Sequence, residues 1–155
     1  CLKRRGIRIN VDTCGAVLWQ TFERVIPYTD VFLFDIKVMD SEKHRFYTGR
    51  DNKEILENLE KLSAAGAGIW IRIPVIGGVN DSEEEIKLIG EFLRDKGIRA
   101  EQVNLLPYHN TGSGKYGRVG MEYEGKDFYT PEEGKMQKLQ KKLRNYINYP
   151  VYIGG

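Results

Sequence analysis

Short apolar segments with polar or charged residues near their carboxyl ends are the feature that most constrains the fold of this chain. Four such segments are predicted to be strands, at residues 7–11, 31–37, 68–75 and 103–108. The polar residues near or just after their ends are Asp12, Asp35, Lys37, Arg72 and His109. Parallel α/β barrels build active sites in this way, because the carboxyl ends of their strands and the following loops meet on one face. The pattern therefore predicts a functional site as well as a fold.

Helical segments alternate with these strands. Apolar residues recur at helical spacing in residues 16–25, where Val17 and Phe22 are expected on the buried side, and again in residues 52–65. The sequence Asn80-Asp81-Ser82, followed by three glutamates, predicts a capped helix start, and Thr130 before Pro131 predicts another. A shorter amphipathic segment follows residue 40, and a last strand is predicted at residues 151–153. This alternation indicates parallel βαβ units in an α/β fold.

Composition excludes several classes of function. The 24 Lys and Arg residues against 22 Asp and Glu leave a net charge of +2, so neither nucleic acid nor an anionic membrane is an expected partner. No apolar run approaches the ~20 residues that span a bilayer, which favours a soluble, cytoplasmic protein. Cys1 and Cys14 form neither a disulfide framework nor a C-x-x-C pair. At 155 residues the chain is expected to form one domain, too short for an eightfold barrel.

Charged residues within the predicted strands are the candidate binding groups. The period of two places Asp35 and Lys37 on one face of an apolar strand, which suits recognition of a zwitterionic or polyhydroxyl ligand. The alternative is a strand-end ion pair that reaches solvent. Asp12 and Thr13 either contribute to the same site or shape the following turn through hydrogen bonds to the backbone.

Two further candidates have similar alternatives. Arg72 lies between Ile71 and Ile73 and points away from them, toward an anion or simply out to solvent. His109 can donate and accept toward an adenine or ribose edge, or serve only as a loop residue. No role is assigned to His44. Residues 112–117 match G-x-G-x-x-G, yet no helical period follows them, so a lid or a partner-contact loop fits better than a phosphate site.

Four segments taken together resemble glycyl-radical-enzyme activating enzymes, the radical S-adenosylmethionine (SAM) proteins of the pyruvate formate-lyase activating type. They are residues 10–15, 34–37, 70–75 and 105–109. The resemblance implies the C-terminal part of a (β/α)6 partial TIM-like barrel with mostly parallel strands. It also implies an anaerobic oxidoreductase in which a 4Fe-4S cluster and SAM yield a 5′-deoxyadenosyl radical that removes a hydrogen from a glycine of the partner. The implied partners are a pyruvate formate-lyase-like glycyl radical enzyme and an electron donor such as flavodoxin or ferredoxin.

The resemblance also implies roles for individual residues. Asp35, Lys37, His109 and, with them, Arg72 correspond to SAM contacts. Asp12, Thr13 and Asp35 correspond to a monovalent-cation site beside the methionyl group of SAM. No residue of this chain is assigned as catalytic.

The sequence departs from the family pattern in one respect. The C-x-x-x-C-x-x-C loop that binds the cluster is absent, as is the Gly-Gly-Glu segment that contacts the SAM amino group. We therefore expect that the cluster is not bound by this chain and that the chain is inactive alone. Residues 1–155 are expected to form a single partial domain, the C-terminal half of the barrel, without its first three βα units.

Two other functions fit the same residues. A non-radical barrel lyase or aldolase would use Lys37 as an amine nucleophile. A non-catalytic protein-binding module would use residues 112–120 together with Tyr123, Phe128 and Tyr129.

Overall fold

A computed structural model describes residues 2–110, 120, 125 and 127–155. Strands and helices alternate along the chain. The strands are β1 (Asn10–Thr13), β2 (Val31–Asp35), β3 (Ile69–Val75), β4 (Gln102–Pro107) and β5 (Val151–Ile153). The helices are α1 (Trp19–Val25), α2 (Ser41–Thr48), α3 (Lys53–Ala64), α4 (Glu83–Asp95) and α5 (Glu133–Leu143), with short 3-10 turns at Leu2–Arg5 and Ile26–Tyr28. None of the helices in these ranges is long and apolar enough to cross a membrane.

The five strands form one sheet in the order β1-β2-β3-β4-β5, and every neighbouring pair is parallel. Because each strand lies beside the next one in the chain, every connection advances the sheet in one direction, as in a barrel and unlike a doubly wound sheet. The predicted α/β class with parallel strands is confirmed.

The two faces of the sheet differ in burial. In β3, Ile69, Ile71 and Ile73 are fully buried, whereas Trp70 and Arg72 are only partly buried. The buried face packs against apolar residues of α3, α4 and α5 in one core. The opposite face, which corresponds to a barrel interior, carries the charged residues. This alternation explains why β3 reads as apolar with one arginine.

Several boundaries differ from the sequence predictions. The first strand begins at Asn10 and not at Ile7, because pairing with β2 starts at Asn10 and Val31 and Ile7 is exposed. Asp12 and Thr13 therefore lie within β1. Helix α1 begins only at Trp19, and Val17, predicted to be buried, is exposed.

The two predicted helix starts have different outcomes. Ser82 caps α4 as predicted, since its hydroxyl oxygen accepts from Glu85 N at 3.1 Å. The start at Thr130 is wrong by two residues: Glu132 is the cap of α5, and the Thr130 hydroxyl instead donates to Tyr108 O at 2.6 Å. The predicted loop at residues 112–117 lies outside the described residues.

Candidate active site at the carboxyl ends of the strands

Arg72 joins three adjacent strands through two carboxylates. Its Nε donates to Asp35 Oδ1 at 2.9 Å, and Nη2 lies 2.7 Å from the same oxygen. On the other side, Nη1 donates to Asp12 Oδ2 at 2.8 Å and Nη2 donates to Asp12 Oδ1. Strand register explains the meeting, because Asp35 is the direct partner of Arg72 and Asp12 lies on the adjoining β1. A planar guanidinium with donors on two edges is suited to hold two carboxylates at once.

Burial and charge act in opposite directions on this arginine. Its side chain is 21% exposed and that of Asp35 is 17% exposed, whereas that of Asp12 is 65% exposed. Partial burial lowers the pKa of Arg72, but the hydrogen bonds to Asp12 and the charge of Asp35 outweigh burial and raise the pKa above its ordinary value. Arg72 is therefore a fixed positive charge, and the outward, solvent-seeking alternative does not describe it.

Lys37 extends the charged group beyond the end of β2. Its Nζ lies 3.6 Å from Asp35 Oδ2, whereas the hydrogen bond from Arg72 Nε goes to the other oxygen, Oδ1. Two carboxylates and two cations thus form one network with no net charge, which we call the Asp12-Asp35-Lys37-Arg72 network. Asp35 is its centre, with one oxygen for each cation.

Two depressions adjoin this network. One, of about 670 Å³, runs along the inner face of the sheet and is lined by residues that include Trp70, Arg72, Leu106 and His109. The other, of about 420 Å³, contains Asp35 and Lys37 with Cys14, His44 and Arg50 among its lining residues. The structure thus brings Asp12, Asp35, Lys37 and Arg72 into contact, and places the exposed His109 in the groove beside Arg72.

Thr13 has a local structural role. Its hydroxyl oxygen accepts from Gly15 N at 3.0 Å, which is the turn-shaping bond that the sequence left open as an alternative. Within the described ranges, no group of three or more His, Cys, Asp or Glu side chains converges as a metal site would require. The cation site at Asp12, Thr13 and Asp35 remains a prediction.

The sequence did not predict that several polar residues around the site are buried. His44 is 3% exposed, with Nδ1 2.7 Å from Arg50 O, in the depression that also holds Lys37. Asn52, Asn58 and Asn80 are also buried and bind backbone carbonyls near the strand ends. Asn58 offered a signal, because an asparagine on the apolar face of a predicted helix needs a partner when buried. His44 offered none.

The residues of the binding-module alternative are only partly described. The Tyr129 carbonyl accepts from Gly77 N at 2.9 Å, and its hydroxyl donates to Asp81 Oδ2 at 3.3 Å. Phe128 packs edge-on against Tyr47 and Tyr108. These contacts are within the chain. Residues 112–119 and Tyr123 lie outside the described part of the structure.

Comparison with known proteins agrees with the barrel-like α/β fold. The radical SAM superfamily pattern matches residues 1–89, which is more than half of the chain. The chain therefore belongs to the radical SAM superfamily.

Its relatives are more specific. It is 44% identical over 155 residues to the trans-4-hydroxy-L-proline dehydratase activating enzyme of Clostridioides difficile, covering 99% of this chain and 50% of the relative. It is 34% identical to the choline trimethylamine-lyase activating enzyme of Oleidesulfovibrio alaskensis, covering 97% and 49%. A crystal structure of a domain of pyruvate-formate lyase-activating enzyme from Bacteroides vulgatus superimposes with a TM-score of 0.82 at 33% identity, covering 99% of this chain and 84% of that domain.

These matches confirm the resemblance to glycyl-radical-enzyme activating enzymes and the partial-barrel fold. Radical SAM activating enzymes use SAM and a 4Fe-4S cluster. The chain spans about half the length of the curated relatives it matches.

Proposed function

We propose that this chain supplies the SAM-binding and partner-binding part of a glycyl-radical-enzyme activating enzyme. The observation that carries the proposal is the Asp12-Asp35-Lys37-Arg72 network at the carboxyl ends of three parallel strands, where barrel enzymes place their sites. We further propose that residues 1–155 form the C-terminal half of a radical SAM barrel, in keeping with their coverage of 50% and 49% of the two activating enzymes compared above.

The chemistry of the network suits SAM. The methionyl end of SAM carries an ammonium and a carboxylate, and its ribose carries two hydroxyls. Asp35 can accept from the hydroxyls, while Lys37 and Arg72 offer positive charge to the carboxylate. His109, in the groove beside Arg72, offers an imidazole to the nucleoside. Because the network has no net charge, it matches a ligand end that is itself zwitterionic.

The iron–sulfur cluster does not fit this chain. The sequence has two cysteines, and Cys14 is exposed and free. Holding a 4Fe-4S cluster requires more thiolates than these. In the proposed full protein, the cluster would supply the electron that cleaves SAM into methionine and a 5′-deoxyadenosyl radical, and that radical would remove a hydrogen from a glycine of the partner enzyme. The proposed setting is the cytoplasm, where reducing conditions suit a flavodoxin or ferredoxin donor.

The aldolase alternative receives less support from the surroundings of Lys37. Lysine nucleophiles are activated by an apolar pocket or by a neighbouring cation. The Lys37 side chain is 37% exposed and faces the carboxylate of Asp35. This environment suits a cation that binds an anion better than an amine that attacks a carbonyl.

SAM affinity is the direct test of the proposal. We expect Lys37→Met to weaken binding of SAM to this chain by roughly tenfold or more, because hydrogen bonds to charged groups contribute about 1.5–3 kcal/mol. Isothermal titration calorimetry measures the change. Lys96→Met is the matched control, since Lys96 is also half-exposed and lies 3.1 Å from a carboxylate of Glu60, and its affinity should stay within about twofold. Equal affinities of the two variants, or no saturable binding to the unmodified chain, would contradict the proposal.

The proposal includes the monovalent-cation site at Asp12, Thr13 and Asp35. A cation already lies between the two carboxylates in this structure, namely the Arg72 guanidinium, so the position is suited to positive charge. We therefore expect K⁺ to stabilise Arg72→Gln more than the unmodified chain, raising its melting temperature by about 2–4 °C. Thermal unfolding in KCl against tetramethylammonium chloride, at one ionic strength, measures the effect. If K⁺ stabilised Arg72→Gln no more than tetramethylammonium does, K⁺ would not bind at this position, whereas equal stabilisation of both chains by K⁺ would show that Arg72 does not compete with it.

A further inference from the structure

Asn80 holds the backbone of Lys37 in place. This buried side chain, 1% exposed, donates from Nδ2 to Lys37 O at 2.6 Å and to Pro74 O at 2.7 Å. Its Oδ1 accepts from Ile76 N at 2.7 Å. One amide thus joins the segment after β2 to the end of β3. We propose that Asn80 is a positioning residue for SAM binding that acts through Lys37, an inference that rests on the proposed function.

The need for this amide follows from where strand pairing ends. The β2–β3 register stops at Asp35 and Arg72, and Ile36 N donates to Arg72 O. Pro74, two residues further along β3, has no N–H that could donate to the segment after β2. Carbonyls that are partly withdrawn from water need donors, and the Asn80 amide supplies one to each segment. Without it, Lys37 O loses its partner and the position of Lys37 relative to β3 is no longer fixed.

Holding the Lys37 backbone in place also limits where its ammonium group can lie. The Nζ atom lies 3.6 Å from Asp35 Oδ2, and Asp35 is itself held by Arg72 from β3. The Arg72 contact and the Asn80 amide therefore add two side-chain links to the backbone pairing of β2 with β3, one on either side of Ile36. Ligand-binding groups held in this way keep their geometry before the ligand arrives.

Two other asparagines also donate two hydrogen bonds to backbone carbonyls, in different loops. Asn58 Nδ2 donates to Gly15 O at 2.9 Å and Val17 O at 2.7 Å, after β1. Asn52 Nδ2 donates to Val38 O at 2.9 Å and Met39 O at 2.7 Å, after β2. Of these three, Asn80 alone binds the backbone of a residue in the charged network. Asn58 is therefore a matched control, with the same burial and the same number of donated bonds.

The test is a double-mutant cycle on SAM affinity. We expect Asn80→Ala to weaken SAM binding by roughly tenfold, in the range seen when residues supporting a ligand-binding group are removed. In a Lys37→Met background the same substitution should change affinity by less than about twofold, because its effect passes through Lys37. A merely structural role would lower affinity equally in both backgrounds and would overturn the proposal. Asn58→Ala should stay within about twofold of the unmodified chain.

Two additions separate folding and ligand effects from positioning. Asn80→Asp keeps the shape and the acceptor for Ile76 N but removes both donors, so it should weaken SAM binding as much as Asn80→Ala does. In ligand-free chain, the carbonyl carbon NMR shift of Lys37 should move in both Asn80 variants and stay unchanged in Asn58→Ala. If the unmodified chain binds no SAM, the proposed function fails, while an unmoved Lys37 carbonyl shift overturns the positioning role by itself.

Discussion

Arg72→Leu is expected to lower the free energy of unfolding by about 2–3 kcal/mol. The substitution leaves Asp12 and Asp35 facing one another without the guanidinium that joins them. Removing one partner of a buried ion pair costs roughly 3–5 kcal/mol, and we expect less here because Asp12 is largely exposed to solvent. Urea unfolding of the unmodified and variant chains measures the loss, with the slope checked for two-state behaviour.

Two controls separate charge from geometry. Arg72→Lys keeps a positive charge but loses the donors that hold two carboxylates at once, so it should recover only part of the loss. Arg45→Leu removes another arginine ion pair, to Asp51 at 3.0 Å, in which both side chains are largely exposed. Its cost should stay within about 0.5 kcal/mol. If Arg72→Leu were no less stable than Arg45→Leu, the network would not hold the strand ends together.

The positions of Asp35 and Arg72 show what strand periodicity can predict. An alternation of two placed Asp35 and Lys37 on one face and turned Arg72 away from Ile71 and Ile73, and the buried isoleucines and the ion pairs confirm both predictions. This works because side-chain direction in a strand is a local property.

The contact between Arg72 and both carboxylates could not be predicted in the same way. It depends on the register of three strands that lie up to 60 residues apart in the sequence. Periodicity assigns a face to each residue but does not fix how far one strand slides along its neighbour. Only the assembled sheet sets Asp35 directly beside Arg72.

Asn80 shows a different limit. The sequence around it is a helix-start pattern, and Ser82 does cap α4 as predicted. This local pattern does not predict the second role of the segment, in which the Asn80 amide donates to Lys37 O, 43 residues away in the sequence. A residue that fits a local pattern carries no visible sign of a distant partner, so its role appears only in the fold.

Gly15→Ala is expected to be the most destabilising single-methyl change near the site, at about 3–4 kcal/mol. Gly15 has φ of +76°, a conformation that costs an L-residue roughly 1–2 kcal/mol. A Cβ here would also lie 2.3 Å from Cζ of Phe34, a fully buried ring in the core. Displacing that ring adds roughly 1–3 kcal/mol of overpacking. Because Thr13 binds Gly15 N, the change would also disturb the end of β1.

Gly49→Ala isolates the backbone part of this cost. Gly49 has φ of +80° at the end of α2, but a Cβ there meets nothing within 4 Å. It should cost only the roughly 1–2 kcal/mol of backbone strain. Phe34→Leu supplies the complementary control, because a shorter side chain makes room for the Gly15 methyl. The double variant Gly15→Ala, Phe34→Leu should therefore lose less free energy of unfolding than the two single variants lose together, by about 1 kcal/mol or more. Urea unfolding measures the free energy of unfolding of each variant. Equal losses in Gly15→Ala and Gly49→Ala would show that the Phe34 ring moves aside without cost. Close packing against Phe34 would then not determine the backbone conformation after β1.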